Sequence, residues 1–272
     1  MKVLFVGGGN MGRALAGGMI AEGTPAKDIR IVEIAAAARE RLASELGVES
    51  TDSIASADVE NADVVVLAVK PQAMRKTVGP LGALLTRQPV ISIAAGIRIG
   101  DLARWLGGYR RIVRAMPNTP ALVRRGITGL YATADVAADD RVTAERVLGA
   151  VGETLWCPEE KVLDAITAVS GSGPAYLFHY LESMIAAAET LGFAPDAARQ
   201  LAYATARGSI ELALQSADSP AVLREQVTSK GGTTAAALAV LEARGVKAAY
   251  LEALRAADAR AAELGDVLGR DE

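Results

Sequence analysis

A short apolar run, Val3-Leu4-Phe5-Val6, leads straight into Gly7-Gly8-Gly9-Asn10-Met11-Gly12. The spacing G-x-G-x-x-G at that place predicts a β-strand that turns tightly into a helix. Gly7 permits the turn, Gly9 lets the backbone approach a pyrophosphate, and Gly12 lets the helix pack close to the strand. The helix that follows, from Met11 to about Glu22, would aim the free N–H groups around Asn10 and Met11, with its positive dipole end, at the phosphates. A glycine turn with a purely steric role is the alternative. Context favours dinucleotide binding: a strand before, a helix after, and an acid about 20 residues on, Glu33, following a second strand at Ile29–Val32.

Strands and helices alternate through the first half. Apolar, β-branched runs at 3–6, 29–32, 64–69, 90–93 and 112–113 are separated mostly by helical patterns such as 39–46 and 73–85. That alternation predicts a parallel, doubly wound sheet. The run 64–69 is apolar on both faces, as a central parallel strand requires. Further strands are expected at 128–133 and 154–157, flanking a helix over about 139–151. From Lys161 on, the strand signal disappears and helices follow at 174–191, 195–215, 220–227, 233–244 and 248–264. Ser219-Pro220 reads as an N-cap with proline at N1, and Gly192, Gly245 and Gly265 read as helix stops. The expected fold class is α/β: a Rossmann doubly wound sheet over 1–160, followed by an all-helical domain over 161–272.

Over residues 176–191 apolar side chains, among them Leu177, Phe178, Leu181, Met184 and Ile185, cover most of the helix circumference. A helix apolar nearly all round is buried on nearly all sides. The helical half offers too little core of its own to cover it, so a second copy in an intertwined homodimer is the expected cover. The first domain is the alternative one.

Composition removes several classes of function. A net charge of −3 leaves no basic footprint for nucleic acid. Cys157 is the only cysteine, so no intrachain disulfide is expected, which fits a reducing compartment. The first apolar run is too short for a secretory core, and no apolar stretch approaches the roughly 20 residues of a membrane span. A soluble, cytoplasmic protein is expected. With one histidine and one cysteine, no metal-ligand cluster is expected either.

Ser229-Lys230-Gly231-Gly232-Thr233-Thr234 joins two of the helices and begins the second. Consecutive backbone N–H groups and two hydroxyls at a helix start suit a carboxylate. Spacing alone leaves a second reading open, an ordinary helix–helix turn with threonine as N-cap.

Six blocks in order then carry a resemblance. They are the glycine turn, Leu67-Ala68-Val69-Lys70-Pro71, Ser92-Ile93-Ala94-Ala95-Gly96, Arg114-Ala115-Met116-Pro117-Asn118-Thr119-Pro120, Ser170-Gly171-Ser172-Gly173-Pro174-Ala175-Tyr176 and Gly231-Gly232-Thr233-Thr234. Together they make the chain resemble pyrroline-5-carboxylate reductase over residues 2–264. The resemblance implies reduction of a cyclic imine acid, 1-pyrroline-5-carboxylate, to L-proline by NADH or NADPH, the last step of proline synthesis. It also implies a helical dimerisation domain, and commonly a decamer of five dimers. Carried over, Ser229, Gly231, Gly232, Thr233 and Thr234 match the substrate loop. Backbone N–H groups around Gly232 and Thr233 would hold the carboxylate, and the Thr234 hydroxyl would meet the ring nitrogen. Val69, Lys70 and Pro71, then Ala94, Ala95 and Gly96, and Asn118, match the stretches that line the cofactor.

Residue chemistry agrees. Imine reduction needs a hydride donor, a proton on nitrogen and an anchor for the carboxylate, and it needs neither a metal nor a strong base. Thr234, or a bound water, suffices at the nitrogen. His179 lies one helical turn from Glu182 on a mostly apolar helix and is read as structural; Cys157, at a strand end, is read as packing. Lys70 has a bland reading as a solvated charge, but the carboxyl end of a central parallel strand favours a cofactor contact. Relatives resembling β-hydroxyacid dehydrogenases carry a catalytic lysine on the first long helix of the second domain, and 174–191 has none. A dinucleotide-binding regulatory protein without turnover is the other alternative. After the second strand the chain reads Glu33-Ile34-Ala35-Ala36, where many relatives place groups that receive a 2′-phosphate. A carboxylate there favours the ribose hydroxyl of NADH, while Arg39 and Arg41 lie close enough to favour phosphate.

Overall fold

Two strands of the first half stop at a residue that cannot continue them, β1 at Gly7 and β6 at Pro117. The computed structural model describes residues 1–270, the side chain of Ser56 excepted. Its strands are β1 Val3–Val6, β2 Ile29–Val32, β3 Glu49–Thr51, β4 Val64–Leu67, β5 Val90–Ser92, β6 Ile112–Met116, β7 Gly126–Ala132 and β8 Gly152–Trp156. Between them lie α1 Asn10–Ala21, α2 Ala36–Leu46, α3 Pro71–Val78, α4 Ile99–Trp105 and α5 Ala138–Gly149, with α6 Val162–Ile166 after the last strand. They form one sheet in the order β3-β2-β1-β4-β5-β6-β7-β8.

Alternation along the central strands builds two cores. Val3 and Phe5 of β1 and Val64 and Val66 of β4 face one side, with Leu15, Met19 and Leu148 of the helices. Leu4, Val6, Val65 and Leu67 face the other, with Met74, Val78 and Leu102. These strands are buried on both faces, as helix-covered parallel sheets are. Each buried side chain of this size contributes about 1.5–3 kcal/mol.

The parallel expectation fails at one junction: β6 and β7 pair antiparallel. Only the stretch 117–125 joins them, holding a 3₁₀ turn at Thr119–Val123, and a parallel return needs a crossover of about a dozen residues or more. With α5 as crossover, β8 then runs parallel to β7. The helix expected over 73–85 ends at Val78, before Gly79-Pro80. The expected stop at Gly265 is also absent, because α11 Val246–Leu268 runs through it. There the missing side chain leaves room for the Arg98 guanidinium, whose Nε would lie 3.1 Å from a Cβ at that position.

Packing divides the chain into two units, Met1–Ser172 with the chain from Ala257 on, and Gly173–Ala256. This division by packing falls after Ser172, twelve residues beyond the boundary expected near residue 160. The α6 segment stays with unit 1 because Leu163 and Ile166 close on β7 at Gly129, where a Cβ would lie 2.8 Å from Ile166 Cγ2. Residues 271 and 272 of the expected second domain lie outside the described residues. The second unit is helical: α7 Gly173–Thr190, α8 Pro195–Gln215, α9 Pro220–Gln226, α10 Thr233–Ala243 and the start of α11. Ser219 caps α9, its Oγ accepting from Val222 N at 3.4 Å. Within residues 173–256 the buried hydrophobics are Ala198 and Ala202 alone among those described. No residue of α7 is buried, and Phe178, Tyr203 and Ile210 are each more than half exposed.

Candidate active site

The carboxyl ends of β1, β4, β5 and β6 bring together the residues that the sequence assigns to the nucleotide. Gly7 has a φ of +110°, and a Cβ there would lie 2.7 Å from the Ala68 carbonyl carbon and oxygen. A Cβ on Gly12 would overlap the Gly7 carbonyl oxygen and sit 3.3 Å from Ala68 Cβ. Helix α1 and the β1 turn therefore touch backbone to backbone. Gly9 differs: nothing lies within 4 Å of its Cβ position. It is the N-cap of α1, and the first helical bond runs from Arg13 N to Gly9 O at 2.9 Å. The N–H groups of Asn10, Met11 and Gly12 precede that bond, and no acidic side chain occupies the first turn. An open backbone cradle at a helix N-terminus is what a pyrophosphate requires.

Glu33 follows β2 and closes one side of this cradle. Its Oε2 accepts from Gly8 N at 3.0 Å and its Oε1 from Ala35 N at 3.0 Å. Gly8, which the motif treats as a free position, is also closely packed: a Cβ would lie 2.7 Å from Leu42 Cδ1 and 3.3 Å from Glu33 Oε2. Arg39 does reach back, but onto the turn itself: its Nη1 donates to the carbonyls of Glu33 at 2.8 Å and Ile34 at 2.9 Å. Arg41 stays exposed.

Val69 is half-buried after β4, Lys70 is the exposed N-cap residue of α3, and Pro71 occupies N1. After β5, Ala94 and Gly96 are buried and Ala95 half-buried. Asn118, after β6, is 8% exposed and its amide is engaged at both its oxygen and its nitrogen. It accepts from Ile127 N at 3.0 Å and donates to Ser170 O at 3.1 Å. Its partner Ser170 lies in a π-helical turn at Thr167–Gly171, a feature frequent at functional sites. Just before Asn118, Arg114 is buried on β6 against Glu160 at 3.2 Å and Asp164 at 3.4 Å. The sequence reading missed this ion cluster because its members lie far apart in the chain.

In the second unit, the stretch 229–234 connects α9 to α10. Gly231 turns the chain at a φ of +74°. Gly232, not a threonine, is the N-cap of α10, extended and with no side-chain hydrogen bond to the helix start. The first helical bond runs from Ala236 N to Gly232 O at 3.1 Å, so the N–H groups of Thr233, Thr234 and Ala235 lie ahead of it. Ser229, Gly231 and Thr233 are exposed and Thr234 is half-buried. An uncapped helix start attracts an anion by about 0.3–1 kcal/mol at the surface and up to about 2 kcal/mol when partly buried.

The remaining candidates stand apart from this chemistry. Nδ1 of His179 lies 3.9 Å from Glu182 Oε2 on the exposed α7. Burial pushes the Cys157 thiol above its ordinary range, which disfavours the thiolate. Among the described residues no cluster of three or more His, Cys, Asp or Glu side chains is placed to hold a metal ion. No helix among them is long and apolar enough to cross a membrane.

Sheet order, glycine turn and the acid after β2 define a Rossmann-type dinucleotide-binding protein with a helical second unit. Residues 2–96 match the family model described as NADP oxidoreductase, coenzyme F420-dependent, and residues 160–264 the model described as pyrroline-5-carboxylate reductase dimerisation. A pyrroline-5-carboxylate reductase of Pseudomonas aeruginosa is 47% identical over 270 residues, 99% of this chain and 98% of that protein. The structure of a pyrroline-5-carboxylate reductase from Coxiella burnetii superposes with a TM-score of 0.90 at 40% identity, covering 97% of this chain and 98% of the other. The pyrroline carboxylate reductase of Plasmodium falciparum, solved with NADP bound, gives 0.87 at 28% identity with the same coverage. The chain belongs to the pyrroline-5-carboxylate reductase family.

Proposed function

We infer that this protein reduces 1-pyrroline-5-carboxylate to L-proline with a reduced nicotinamide dinucleotide. The observation that carries the reading is the bare, glycine-capped start of α10 bearing Thr233 and Thr234, in a chain of this family. The fit of the dinucleotide rests on the open space at Gly9 and the left-handed turn at Gly7. When bound, the nicotinamide supplies a hydride to the imine carbon. The protein's own part is to place and neutralise. Backbone N–H groups at Thr233 and Thr234 hold the substrate carboxylate, with Ser229, Gly231 and Gly232 shaping the turn, where Gly232 N donates to Ser229 O at 3.0 Å. Thr234 Oγ1 hydrogen-bonds the ring nitrogen and holds its proton in place as C=N becomes C–N. Gly7, Gly9, Asn10, Met11 and Gly12 hold the pyrophosphate, and Val69, Lys70, Pro71, Ala94, Ala95, Gly96 and the backbone of Asn118 line the rest of the cofactor. Adding the imine acid to protein and reduced cofactor is expected to consume the cofactor's absorbance and yield L-proline. Cofactor binding without imine-dependent oxidation would contradict the reading.

Cofactor choice follows from Glu33. Its carboxylate is fixed by Gly8 N and Ala35 N, and Arg39 is engaged by carbonyls. A fixed carboxylate accepts from a ribose 2′-hydroxyl and repels a 2′-phosphate, by about 1–2 kcal/mol or roughly tenfold in a partly solvated site. Both cofactors are used, and kcat/KM for NADH is expected to exceed that for NADPH. A clear NADPH preference would show that Arg39 leaves its carbonyls for the phosphate.

The protein acts as a homo-oligomer whose repeating contact is the helical unit. Its apolar helices lack cover of their own, and exposed apolar surface on that scale marks an interface. Light scattering at micromolar concentration is expected to show a dimer or a multiple of it, with a decamer of five dimers as the assembly proposed. A stable, active monomer would refute this. One cysteine fits a reducing compartment, and we assign the protein to the cytoplasm.

A further inference from the structure

The last turns of α11 pack on the loop that follows β5. Gly96 of that loop has a φ of +76°, and its Cβ position would lie 2.9 Å from Leu268 Cδ1 and 3.6 Å from the Leu264 carbonyl carbon. Two residues on, Arg98 lies along Gly265, donates to Ala262 O at 3.4 Å and pairs with Asp266 at 2.7 Å. From α4, Arg104 Nη2 donates to Gly269 O at 2.6 Å, closing the carboxyl end of α11, and Asp101 packs against the same glycine. Glycine inside a helix is destabilising unless packing demands it, and here the buried Gly265 is what admits Arg98. The start of α4 is fixed from the other side as well, Ile99 N donating to Glu160 Oε1 at 2.8 Å. Residues 265–270 lie beyond the stretches matched by either family model.

We propose that the C-terminal turns of α11 form a positioning strap for the nucleotide site, with Leu268 and the Arg98–Asp266 pair holding the 94–98 loop in its bound shape. The proposal rests on the reading that Ala94, Ala95 and Gly96 line the cofactor. A loop held in one shape before binding loses less freedom when ligand arrives, so the strap acts through affinity. Leu268 and Asp266 touch no reacting group and are positioning residues.

The test uses the full chain with the paired substitution Leu268→Ala and Asp266→Ala, and its conservative counterpart Leu268→Met and Asp266→Glu. Calorimetry with reduced nicotinamide dinucleotide is expected to show about five- to tenfold weaker binding for the alanine pair and near-parental binding for the conservative pair. In the cofactor-free protein, backbone amides of 94–99 are expected to exchange faster in the alanine pair, with the melting temperature of the sheet kept. The imine KM and kcat at saturating cofactor stay at parental values. Parental affinity in the alanine pair, or a loss that merely follows a general loss of folding, overturns the strap alone. Failure of the parent protein to bind the dinucleotide overturns the site reading and the strap with it.

Discussion

Gly12→Ala is expected to lose both stability and dinucleotide binding, whereas Gly9→Ala loses binding alone. The difference comes from what each Cβ meets. At Gly12 it would overlap the Gly7 carbonyl oxygen and crowd Ala68. Neither the Gly7 backbone nor the Cβ of Ala68 can rotate away as a longer side chain can, so α1 must move off the sheet. Overpacking of this kind costs about 1–3 kcal/mol, and it displaces the N–H groups proposed to hold the pyrophosphate. At Gly9 the Cβ meets nothing within 4 Å. A methyl there costs the apoprotein little, yet it stands at the proposed approach of the phosphate. Binding is expected to weaken by at least about tenfold, or about 1.4 kcal/mol, with an unchanged melting temperature. Calorimetry and thermal melting on the two variants check both halves. Equal melting and equal affinity in Gly9→Ala would mean that the open position is not where the pyrophosphate lies.

Thr234→Ala is expected to lower turnover by about 10²-fold while leaving cofactor affinity near its parental value. Gly232 makes the cap of α10, so removal of the Thr234 hydroxyl leaves the turn intact, and its loss reports on substrate chemistry. The KM for the imine acid should change less than kcat, because the carboxylate is proposed to sit on backbone N–H groups that the substitution spares. Steady-state kinetics with calorimetry separates these effects. Parallel losses of turnover and cofactor binding would remove Thr234 from the role assigned to it.

Local rules made much of this legible in advance. Strands β1 and β2 lie at the expected residues because short β-branched runs abut the glycine turn and Glu33. Gly7 makes the tight turn and Gly12 the close helix–strand approach that spacing implies, and the Cβ position of Gly9 is open. What escaped was set by distance along the chain or by weak local signal. Strand β3, Glu49-Ser50-Thr51, is a polar edge strand with no apolar alternation to reveal it. Helix α4 spans seven residues and lacks a side-chain cap. Gly265 reads locally as a stop, and only the Arg98 side chain, remote in sequence, explains a glycine inside α11. Asn118 was legible as a member of a motif, but not as the clamp between Ile127 and Ser170.

The central claim is that hydride passes to the carbon of a C=N bond in a substrate whose carboxylate this chain anchors. Product analysis with reduced cofactor deuterated on the transferred face of nicotinamide C4 tests it most directly. Mass spectrometry and NMR are predicted to find one deuterium on Cδ of L-proline, the former imine carbon, matched mole for mole with oxidised cofactor. Oxidation of the cofactor without label in proline, or no oxidation that depends on the imine acid, would contradict the account.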